Sequence, residues 1–264
     1  MRRCHAKTAR VWPAPIFQSA FAAMPSLPLS IGHRGAAGTM PENTMPPFEH
    51  ALSLGADAIE FDVALTRDGA PVVIHDDSVD RTTDGRGRVA DLDLAQIRAL
   101  EAGLWKGVPA RVPTLDEVLA EFGPRTTLNL EIKRSRRRDE LVEACARAVQ
   151  ERELLGRVVF SSFDHEALRV LRYQVPTARI GVLCELTRVE AAFRCAHELG
   201  AENLHPPALL VTANLLRRAR ERGLAVWTWT INDPRRMARF CALGVDGIFS
   251  DFPDRVSITR GDHR

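Results

Sequence analysis

Three acidic side chains lie where two candidate strands would bring them together. Glu60 and Asp62 are two residues apart in an apolar run, and Glu131 lies near the end of a second run. Side chains two apart on a strand point to the same face, so the first two carboxylates are expected on one side. Three hard oxygen ligands suit one divalent cation, Mg²⁺ or Ca²⁺, which would also take water or substrate oxygens. The alternative is a structural network in which these acids pair with Arg or Lys.

Two histidines close strand-like segments next to these acids. His33 ends the first candidate strand, and His75 ends a short run that follows an Asp-Gly turn. Imidazoles transfer protons near neutral pH, so two of them beside a cation favour in-line displacement, one handling the attacking proton and the other protonating the leaving oxygen. Arg34 and Lys133 add positive charge suited to a phosphate. These residue types predict phosphodiester hydrolysis and disfavour aldol or isomerase chemistry.

Two tryptophans lie on the seventh candidate barrel strand. We interpret Trp227 and Trp229 as facing opposite ways, with one packed in the core and the other, Trp229, lining a substrate pocket at the end of the strand. An indole in a pocket can stack on glycerol or on a choline-like cation. The basic run formed by Arg134 and residues 136–138 is interpreted as a solvated loop, with attraction to anionic lipid as the alternative.

The elements that position these residues alternate between short strands and amphipathic helices. Eight strands with intervening helices describe an α/β fold, the (β/α)8 TIM barrel, better than a doubly wound sheet. Catalytic residues of such barrels lie at the carboxyl ends of the strands. The predicted strands are Leu29–His33, Ala58–Leu65, Thr127–Lys133, Val158–Phe163, Arg179–Glu185, Asn203–His205, Ala225–Ile231 and Gly247–Asp251. The predicted helices are Glu42–Leu54, Thr114–Phe122, Asp139–Glu153, His165–Gln174, Arg188–Leu199, Thr212–Arg222 and Pro234–Leu243.

One segment interrupts this alternation after the second strand. Pro71–His75 is predicted to return antiparallel to that strand, and residues 76–113 form an insertion with a short helix near Leu94–Leu100. We expect the insertion to lie over the mouth of the barrel, where barrel enzymes keep their chemistry. The predicted organisation is a leader at residues 1–28, the barrel at 29–256 and a short tail at 257–264.

Composition and charge exclude several classes of function. The first 29 residues carry four basic and no acidic side chains, which leaves 32 basic against 34 acidic in the rest of the 264-residue chain. A protein with that charge balance is not expected to bind nucleic acid. The sequence contains no run of about 18 apolar residues, so no stable membrane insertion is predicted. Five scattered cysteines predict reduced thiols and a cytoplasmic protein, in preference to a periplasmic or secreted one. Residues 1–28 are interpreted as a disordered leader or an over-long start, because prolines interrupt the apolar stretch of any signal peptide.

A series of short motifs follows in order along the chain. They are Gly32-His33-Arg34-Gly35, Pro41-Glu42-Asn43-Thr44, Ile59-Glu60-Phe61-Asp62-Val63, Asp68-Gly69, Val73-Ile74-His75-Asp76, Arg81-Thr82-Thr83-Asp84-Gly85, Pro113-Thr114-Leu115, Asn129-Leu130-Glu131-Ile132-Lys133, Ser161-Ser162-Phe163, Trp229-Thr230-Ile231-Asn232 and Gly244-Val245-Asp246-Gly247. Together they resemble the glycerophosphodiester phosphodiesterases of the bacterial cytoplasmic type, which have a phospholipase C-like barrel. The resemblance runs from about Ile31 to Pro253.

The resemblance implies that water hydrolyses a small-molecule glycerophosphodiester to glycerol 3-phosphate and an alcohol. It implies one divalent cation on Glu60, Asp62 and Glu131. It also implies that His33 and His75 are the general acid and base. Headgroup preference, the choice between Mg²⁺ and Ca²⁺ and the oligomeric state stay open at this point. So does the attacking group, either water directly or a glycerol hydroxyl that first forms a cyclic phosphate.

The resemblance also implies that Arg34 and Lys133 hold the phosphate and that Trp229 lines the pocket. Met45-Pro46-Pro47 departs from the family pattern, so the first helix is expected to begin late. Two alternative functions stay open. A lysophospholipase D would need an apolar groove or membrane-facing surface beside the mouth, and the insertion sequence shows none. A barrel that binds glycerol phosphoesters without turnover would not need the two histidines.

Overall fold

The computed structural model describes residues 27–261, whose strands close into a parallel barrel. The strands are β1 (Leu29–Gly32), β2 (Ala58–Leu65), β3 (Pro71–Val73), β4 (Thr127–Ile132), β5 (Val158–Ser162), β6 (Arg179–Leu183), β7 (Asn203–His205), β8 (Ala225–Thr228) and β9 (Gly247–Ser250). Eight of them run in the order β1-β9-β8-β7-β6-β5-β4-β2, and pairing of β1 with β2 closes the ring. β3 pairs antiparallel with β2 outside it. The predicted (β/α)8 barrel, with its excursion after the second strand, is confirmed.

Helices follow the barrel strands and cover the outside of the ring, except for α2 (Leu94–Arg98), which lies in the excursion after β3. They are α1 (Met45–Ser53), α2 (Leu94–Arg98), α3 (Leu115–Phe122), α4 (Arg138–Glu151), α5 (His165–Gln174), α6 (Val189–Leu199), α7 (Ala213–Arg220), α8 (Pro234–Leu243) and α9 (Pro253–Thr259). The seven long helices expected from the sequence are present, with ends that differ by a few residues. None of the helices within residues 27–261 has the length and apolar character needed to cross a bilayer.

The first helix begins at Met45, three residues after the predicted start at Glu42. Proline fits the first turn of a helix, because the N–H it lacks would have no partner inside the helix there. Asn43 has a φ of 55°, a left-handed conformation that a right-handed helix excludes. The late start leaves residues 42–44 in the loop that faces the barrel mouth.

Two apolar layers hold the barrel together. Ile59, Phe61 and Val63 of β2 are fully buried in the outer layer, between the strands and the helices. Inside the ring, Trp227 and Phe249 pack in a separate cluster with other side chains of β1, β2 and β5. Because side chains alternate along β2, the acids between its outer-layer residues project into the barrel interior, as the sequence pattern predicts.

The insertion at residues 76–113 has a small core of its own. It contains α2 and short 3₁₀ turns at Val89–Asp91 and Leu104–Lys106, and its apolar side chains pack on Val72 and Ile74. The ammonium group of Lys106 donates to the backbone carbonyl of Ala37 in the loop after β1. The insertion is therefore attached to the rim of the barrel beside the first strand.

The end of the described chain differs from the predicted domain boundaries. Helix α9 runs to Thr259, so the tail predicted at 257–264 begins inside a helix. This helix packs on the first strand, where the Ser30 hydroxyl donates to the carbonyl of Pro253 over 2.9 Å. The leader predicted at residues 1–28 lies, except for its last two residues, outside the described residues.

Candidate active site

A buried group of three carboxylates lies on β2 and near the carboxyl end of β4. Asp62 is paired directly with Glu131 across the two strands, and Glu60 is two residues before Asp62. Ligand oxygens of the three residues lie within 4.8 Å of one another, and no other such group occurs in residues 27–261. Glu60 and Asp62 are only 4% and 1% exposed. We call these three residues the acidic cluster.

Two cationic side chains contact the acidic cluster. The Lys133 ammonium lies 3.2 Å from an oxygen of Asp62 and 3.1 Å from an oxygen of Glu131. The guanidinium Nε of Arg34 lies 3.4 Å from the other Asp62 oxygen. These contacts bring both predicted phosphate-binding residues to the cluster. They also match the ion-pair network considered as the alternative to a metal, so contacts alone do not decide between the two.

The pKa values of the cluster show how its charge is distributed. Burial and repulsion from Asp62 and Glu131 raise the pKa of Glu60 well above its usual value. Burial, followed by repulsion from Asp62, raises the pKa of Glu131 to about 7. Although burial opposes it, attraction from Lys133 and Arg34 lowers the pKa of Asp62. The positive charges of Lys133 and Arg34 therefore do not suffice to keep all three carboxylates ionised. The acidic cluster could accommodate a further positive charge.

The turn after β1 positions Arg34 on this cluster. Arg34 has a φ of 52°, and its backbone N–H donates to an oxygen of Glu60 over 2.8 Å. Gly35 follows with a φ of 82°, and a Cβ there would lie 2.7 Å from the backbone carbonyl carbon of Pro47. Only glycine fits this position without moving the first helix.

Asn43 holds Asp62 from the next loop. Its side-chain NH₂ donates to Asp62 over 2.9 Å, and its carbonyl oxygen accepts from the backbone N–H of Asp62 over 3.3 Å. Asn43 is 3% exposed and left-handed, a conformation that asparagine adopts more readily than most residues. The backbone of this loop and the orientation of one carboxylate of the acidic cluster are thus tied together.

His33 is oriented by a carboxylate from the last barrel strand. Its Nδ1 lies 2.7 Å from Asp251, which comes directly after β9. The pairing of β1 with β9 brings these residues together although they are 218 positions apart. Asn232 donates to the second oxygen of Asp251 over 2.6 Å and accepts from its backbone N–H over 2.9 Å. The imidazole Nε2 is left as the nitrogen that can face a substrate.

His75, two residues after β3, has the same type of partner. Its Nδ1 lies 2.6 Å from the carboxylate of Asp76. The backbone N–H of Ile74, the residue before His75, donates to the backbone carbonyl of Asp62 over 3.0 Å. This bond fixes the segment beside the acidic cluster. Burial, together with repulsion from Lys133, lowers the pKa of His75, despite attraction from Asp62.

A chain of ion pairs joins the insertion to the turn that carries Arg34. Arg81 donates to Asp76 over 2.6 Å and to Glu42 over 2.7 Å, and Glu42 accepts from Arg34 over 2.8 Å. Attraction from Arg81, opposed by burial, lowers the pKa of Asp76 to about 2. The partner of His75 is therefore charged at all physiological pH values.

Trp227 lies on β8 and Trp229 directly follows that strand, and the two indoles share a face, so the expectation that they face opposite ways is wrong. Residues two apart in extended backbone share a face, and both indoles pack in the apolar cluster inside the barrel. Trp227 is buried, whereas Trp229 is half-buried, donates its Nε1–H to the carbonyl of His205 over 2.8 Å and meets Phe163 edge to face. Trp229 thus lies at the mouth, and Trp227 lies below it.

Five residues that support the site were absent from the sequence-based site assignment. They are Glu42, Asn43, Asp76, Arg81 and Asp251. The first four belong to short motifs quoted above, so their presence beside the predicted histidines was a usable signal. Asp251 had no such signal, because only closure of the barrel brings it to the first strand.

Comparison with known proteins agrees with this architecture. Residues 33–255 match the model of the glycerophosphoryl diester phosphodiesterase family. A glycerophosphodiester phosphodiesterase of Caldanaerobacter subterraneus is 39% identical over 233 residues, covering 86% of this chain and 96% of the relative. A putative glycerophosphodiester phosphodiesterase of Bacillus subtilis is 35% identical over 248 residues, covering 88% and 98%.

Solved structures give the same result. A putative glycerophosphoryl diester phosphodiesterase of Silicibacter pomeroyi superposes with a TM-score of 0.83 at 31% identity, covering 90% of this chain and 95% of the other. An Oleispira antarctica phosphodiesterase in complex with the product sn-glycerol-3-phosphate has a TM-score of 0.81 at 31% identity, covering 88% and 96%. The chain therefore belongs to the glycerophosphoryl diester phosphodiesterase family and is an enzyme of that class.

Proposed function

We propose that this enzyme uses a divalent cation to hydrolyse glycerophosphodiesters to sn-glycerol 3-phosphate and an alcohol, with His33 and His75 as the general acid–base pair. The observation that carries the proposal is that two histidine–aspartate pairs lie on segments that bond directly to β2, the strand that carries two members of the acidic cluster. The complex of a related phosphodiesterase with the product sn-glycerol-3-phosphate supports the choice of substrate.

The acidic cluster fits a divalent cation such as Mg²⁺ or Ca²⁺. Its donors are hard oxygens close enough to share one ion, and two of the three carboxyl groups have raised pKa values that an added positive charge would lower. Glu60, Asp62 and Glu131 would hold the ion. When bound, the ion would act as a Lewis acid that polarises a phosphoryl oxygen.

Proton transfer falls to the Nε2 atoms of the two histidines. Each Nδ1 is held by a carboxylate, which accepts a hydrogen bond from Nδ1–H and so favours the neutral tautomer with a free lone pair on Nε2. A histidine in that state removes the proton of the attacking hydroxyl. A histidine protonated on both nitrogens gives its Nε2 proton to the leaving alcohol oxygen.

The remaining predicted residues bind and orient the diester. Arg34 and Lys133 already contact the acidic cluster, so their positive groups lie where a phosphate oxygen would approach. Arg34 offers a planar guanidinium that can bind two oxygens of one phosphate. Trp229, half-buried at the mouth and packed edge to face against Phe163, would line the side of the pocket.

Replacement of each histidine tests the acid–base assignment. In His33→Ala and His75→Ala, kcat/KM for glycerophosphocholine should fall by roughly 10²- to 10⁴-fold, the usual contribution of a general acid or base. His197→Ala, which changes an exposed histidine on α6, is the matched control and should retain the wild-type rate. Cation affinity should persist in all three proteins. A near-normal rate in either active-site variant removes that histidine from the mechanism.

Cation dependence is tested by activity after metal removal, and the ligand assignment is tested by calorimetry. Removal of metal with EDTA should abolish hydrolysis, and add-back of Mg²⁺ or Ca²⁺ should identify the ion that restores it. In Glu60→Gln, cation affinity should fall by more than roughly 100-fold. Loss of a residue that only supports a metal ligand typically costs roughly 10- to 100-fold, and loss of a ligand should cost more. Glu151→Gln, an exposed residue on α4, should bind as the wild type does. Equal affinity in the two variants excludes Glu60 as a ligand.

A lysophospholipase D activity is the second candidate, because the insertion is more apolar at its surface than the sequence suggested. Leu104 and Trp105 are 62% and 47% exposed, next to the Lys106 contact with the loop after β1. An acyl chain could lie against these side chains at the rim. Release of choline from lysophosphatidylcholine would establish this activity, and its loss in Trp105→Ala would assign it to that surface.

We also propose a cytoplasmic location, on the basis of the cysteines. Cys145, Cys184, Cys195 and Cys241 are all free thiols, and the first three are buried. Free thiols are typical of a reducing compartment. Fractionation of cells that express the full chain, with immunodetection in each fraction, tests this proposal.

A further inference from the structure

A large groove opens beside one side of the active site. Its volume is about 1210 Å³, and it begins at His75 and Lys133. From there it runs over the loops that follow β4, β5 and β6 to the exposed face of α6, where it ends among residues 191–198. We call this surface the basic groove. His33 does not line it, so it continues from only one side of the catalytic site.

The basic groove has an excess of positive charge. Nine Lys or Arg side chains line it against five Asp or Glu. Four of the acids are neutralised in place: Arg138 pairs with Asp164, Arg134 and Arg188 with Glu185, and Arg169 with Glu166 and Glu198. Asp77 is the remaining acid. The groove also contains Arg88, Arg136 and Arg194, none of which forms an ion pair with any of residues 27–261.

The dimensions of the groove indicate which end of the substrate it holds. The glycerol end of a glycerophosphodiester is small and is the same in every substrate, whereas the alcohol end varies in size and charge. A volume above the roughly 300–1,000 Å³ typical of small-molecule pockets exceeds what glycerol requires. Phe163 lies at the junction, lining the groove and contacting Trp229 on the side of the mouth. The alcohol end is therefore the part that would extend past His75 into the groove.

We propose that the basic groove is a binding subsite for the alcohol part of the diester, and that it selects alcohols that carry an additional negative charge, such as a phosphate monoester. The inference rests on the proposed function, since it assigns a preference among substrates of the same reaction. Unpaired guanidinium groups recognise phosphate through two parallel hydrogen bonds and attract it over several ångströms. The groove is open to solvent, so the preference is expected to weaken as salt is added.

Two substrates that differ by one phosphate test the proposal. We would measure kcat/KM for glycerophosphoinositol 4-phosphate and for glycerophosphoinositol with the cation-loaded enzyme at low salt, and express the result as a ratio. The ratio should exceed one, and 0.5 M NaCl should bring it toward one. In Arg194→Ala and in Arg136→Ala it should fall roughly two- to fivefold, the effect expected of one exposed charge pair. Arg239→Ala removes an exposed arginine from α8, outside the groove, and should leave the ratio at the wild-type value.

The outcomes separate this inference from the proposed function. If the enzyme hydrolyses neither these two diesters nor glycerophosphocholine, the proposed function fails. If it hydrolyses glycerophosphocholine but neither inositol diester, the reaction stands and the subsite is refuted. If both are hydrolysed with equal kcat/KM, or if the Arg136→Ala/Arg194→Ala double variant keeps the wild-type ratio, the reaction stands and the subsite is refuted. An equal loss of kcat/KM for both substrates in the double variant also refutes it, because the groove would then contact a part that the two substrates share.

Discussion

The contact between His33 and Asp251 leads to a specific prediction for Asp251→Asn. The carboxylate accepts from His33 with one oxygen and from the NH₂ of Asn232 with the other. A carboxamide has only one oxygen, so one of these two hydrogen bonds must be lost. Asn232 cannot turn over to compensate, because its own oxygen already accepts from the backbone N–H of residue 251.

Either orientation of the new side chain impairs His33. If its NH₂ faces the imidazole, Nδ1 must accept, the ring proton moves to Nε2 and that atom can no longer take a proton. If its oxygen faces the imidazole, two NH₂ groups oppose each other and the negative charge beside the ring is lost. A hydrogen bond to a charged group contributes about 1.5–3 kcal/mol. Loss of that energy in the transition state predicts a fall in kcat of roughly 10- to 150-fold, with a similar fall in kcat/KM.

Steady-state kinetics with glycerophosphocholine and saturating cation would measure this effect. Asp139→Asn makes the same chemical change at an exposed position on α4 and is the control. Adding Asn232→Asp to Asp251→Asn restores a carboxylate opposite the new NH₂ and frees the amide oxygen for His33, so the double variant should regain part of the lost rate. Wild-type turnover in Asp251→Asn would show that this carboxylate does not orient a catalytic base.

Two further predictions concern the cluster and the turn beside it. Affinity for the divalent cation should rise at least about tenfold between pH 6 and pH 8. Glu131, with a pKa of about 7, keeps its proton at the lower pH and must release it to bind, and the raised pKa of Glu60 adds to this effect. Calorimetry in buffers of different ionisation enthalpy would detect the released protons, and pH-independent binding without proton release would contradict the assignment. Gly35→Ala should lower the free energy of unfolding by at least about 1–3 kcal/mol, because the φ of 82° and the contact with Pro47 leave no room for a Cβ. Thermal unfolding would measure this loss. Gly156→Ala is the control, because a Cβ there meets nothing within 4 Å.

The acidic cluster could be predicted because local periodicity was sufficient to find it. Alternation along β2 placed Glu60 and Asp62 opposite a fully buried apolar face, and the next barrel strand along the chain carried Glu131. Strands adjacent in sequence are usually adjacent in a barrel, so no long-range knowledge was needed. The same simple geometry was misapplied to Trp227 and Trp229, whose spacing of two requires a shared face.

The partners of the two proposed acid–base histidines depended on contacts that no local pattern reports. Asp251 reaches His33 only because the first and last strands pair when the ring closes. The ion pairs of Arg81 join the insertion to the turn after β1, and their geometry depends on how the insertion packs. Left-handed backbone at Asn43 is likewise a property of the folded loop. Motif order could indicate that such residues matter, but not which atom each one contacts.

The charge of the site explains why a diesterase would combine this cluster with a divalent cation. Three ionised carboxylates beside Arg34 and Lys133 would leave one excess negative charge, which would repel a phosphodiester anion. The raised pKa values of Glu60 and Glu131 show that, without an ion, protons offset part of that charge. A divalent cation that replaced those protons would make the charge of the site about +1, and the bound ion would then attract the phosphodiester anion.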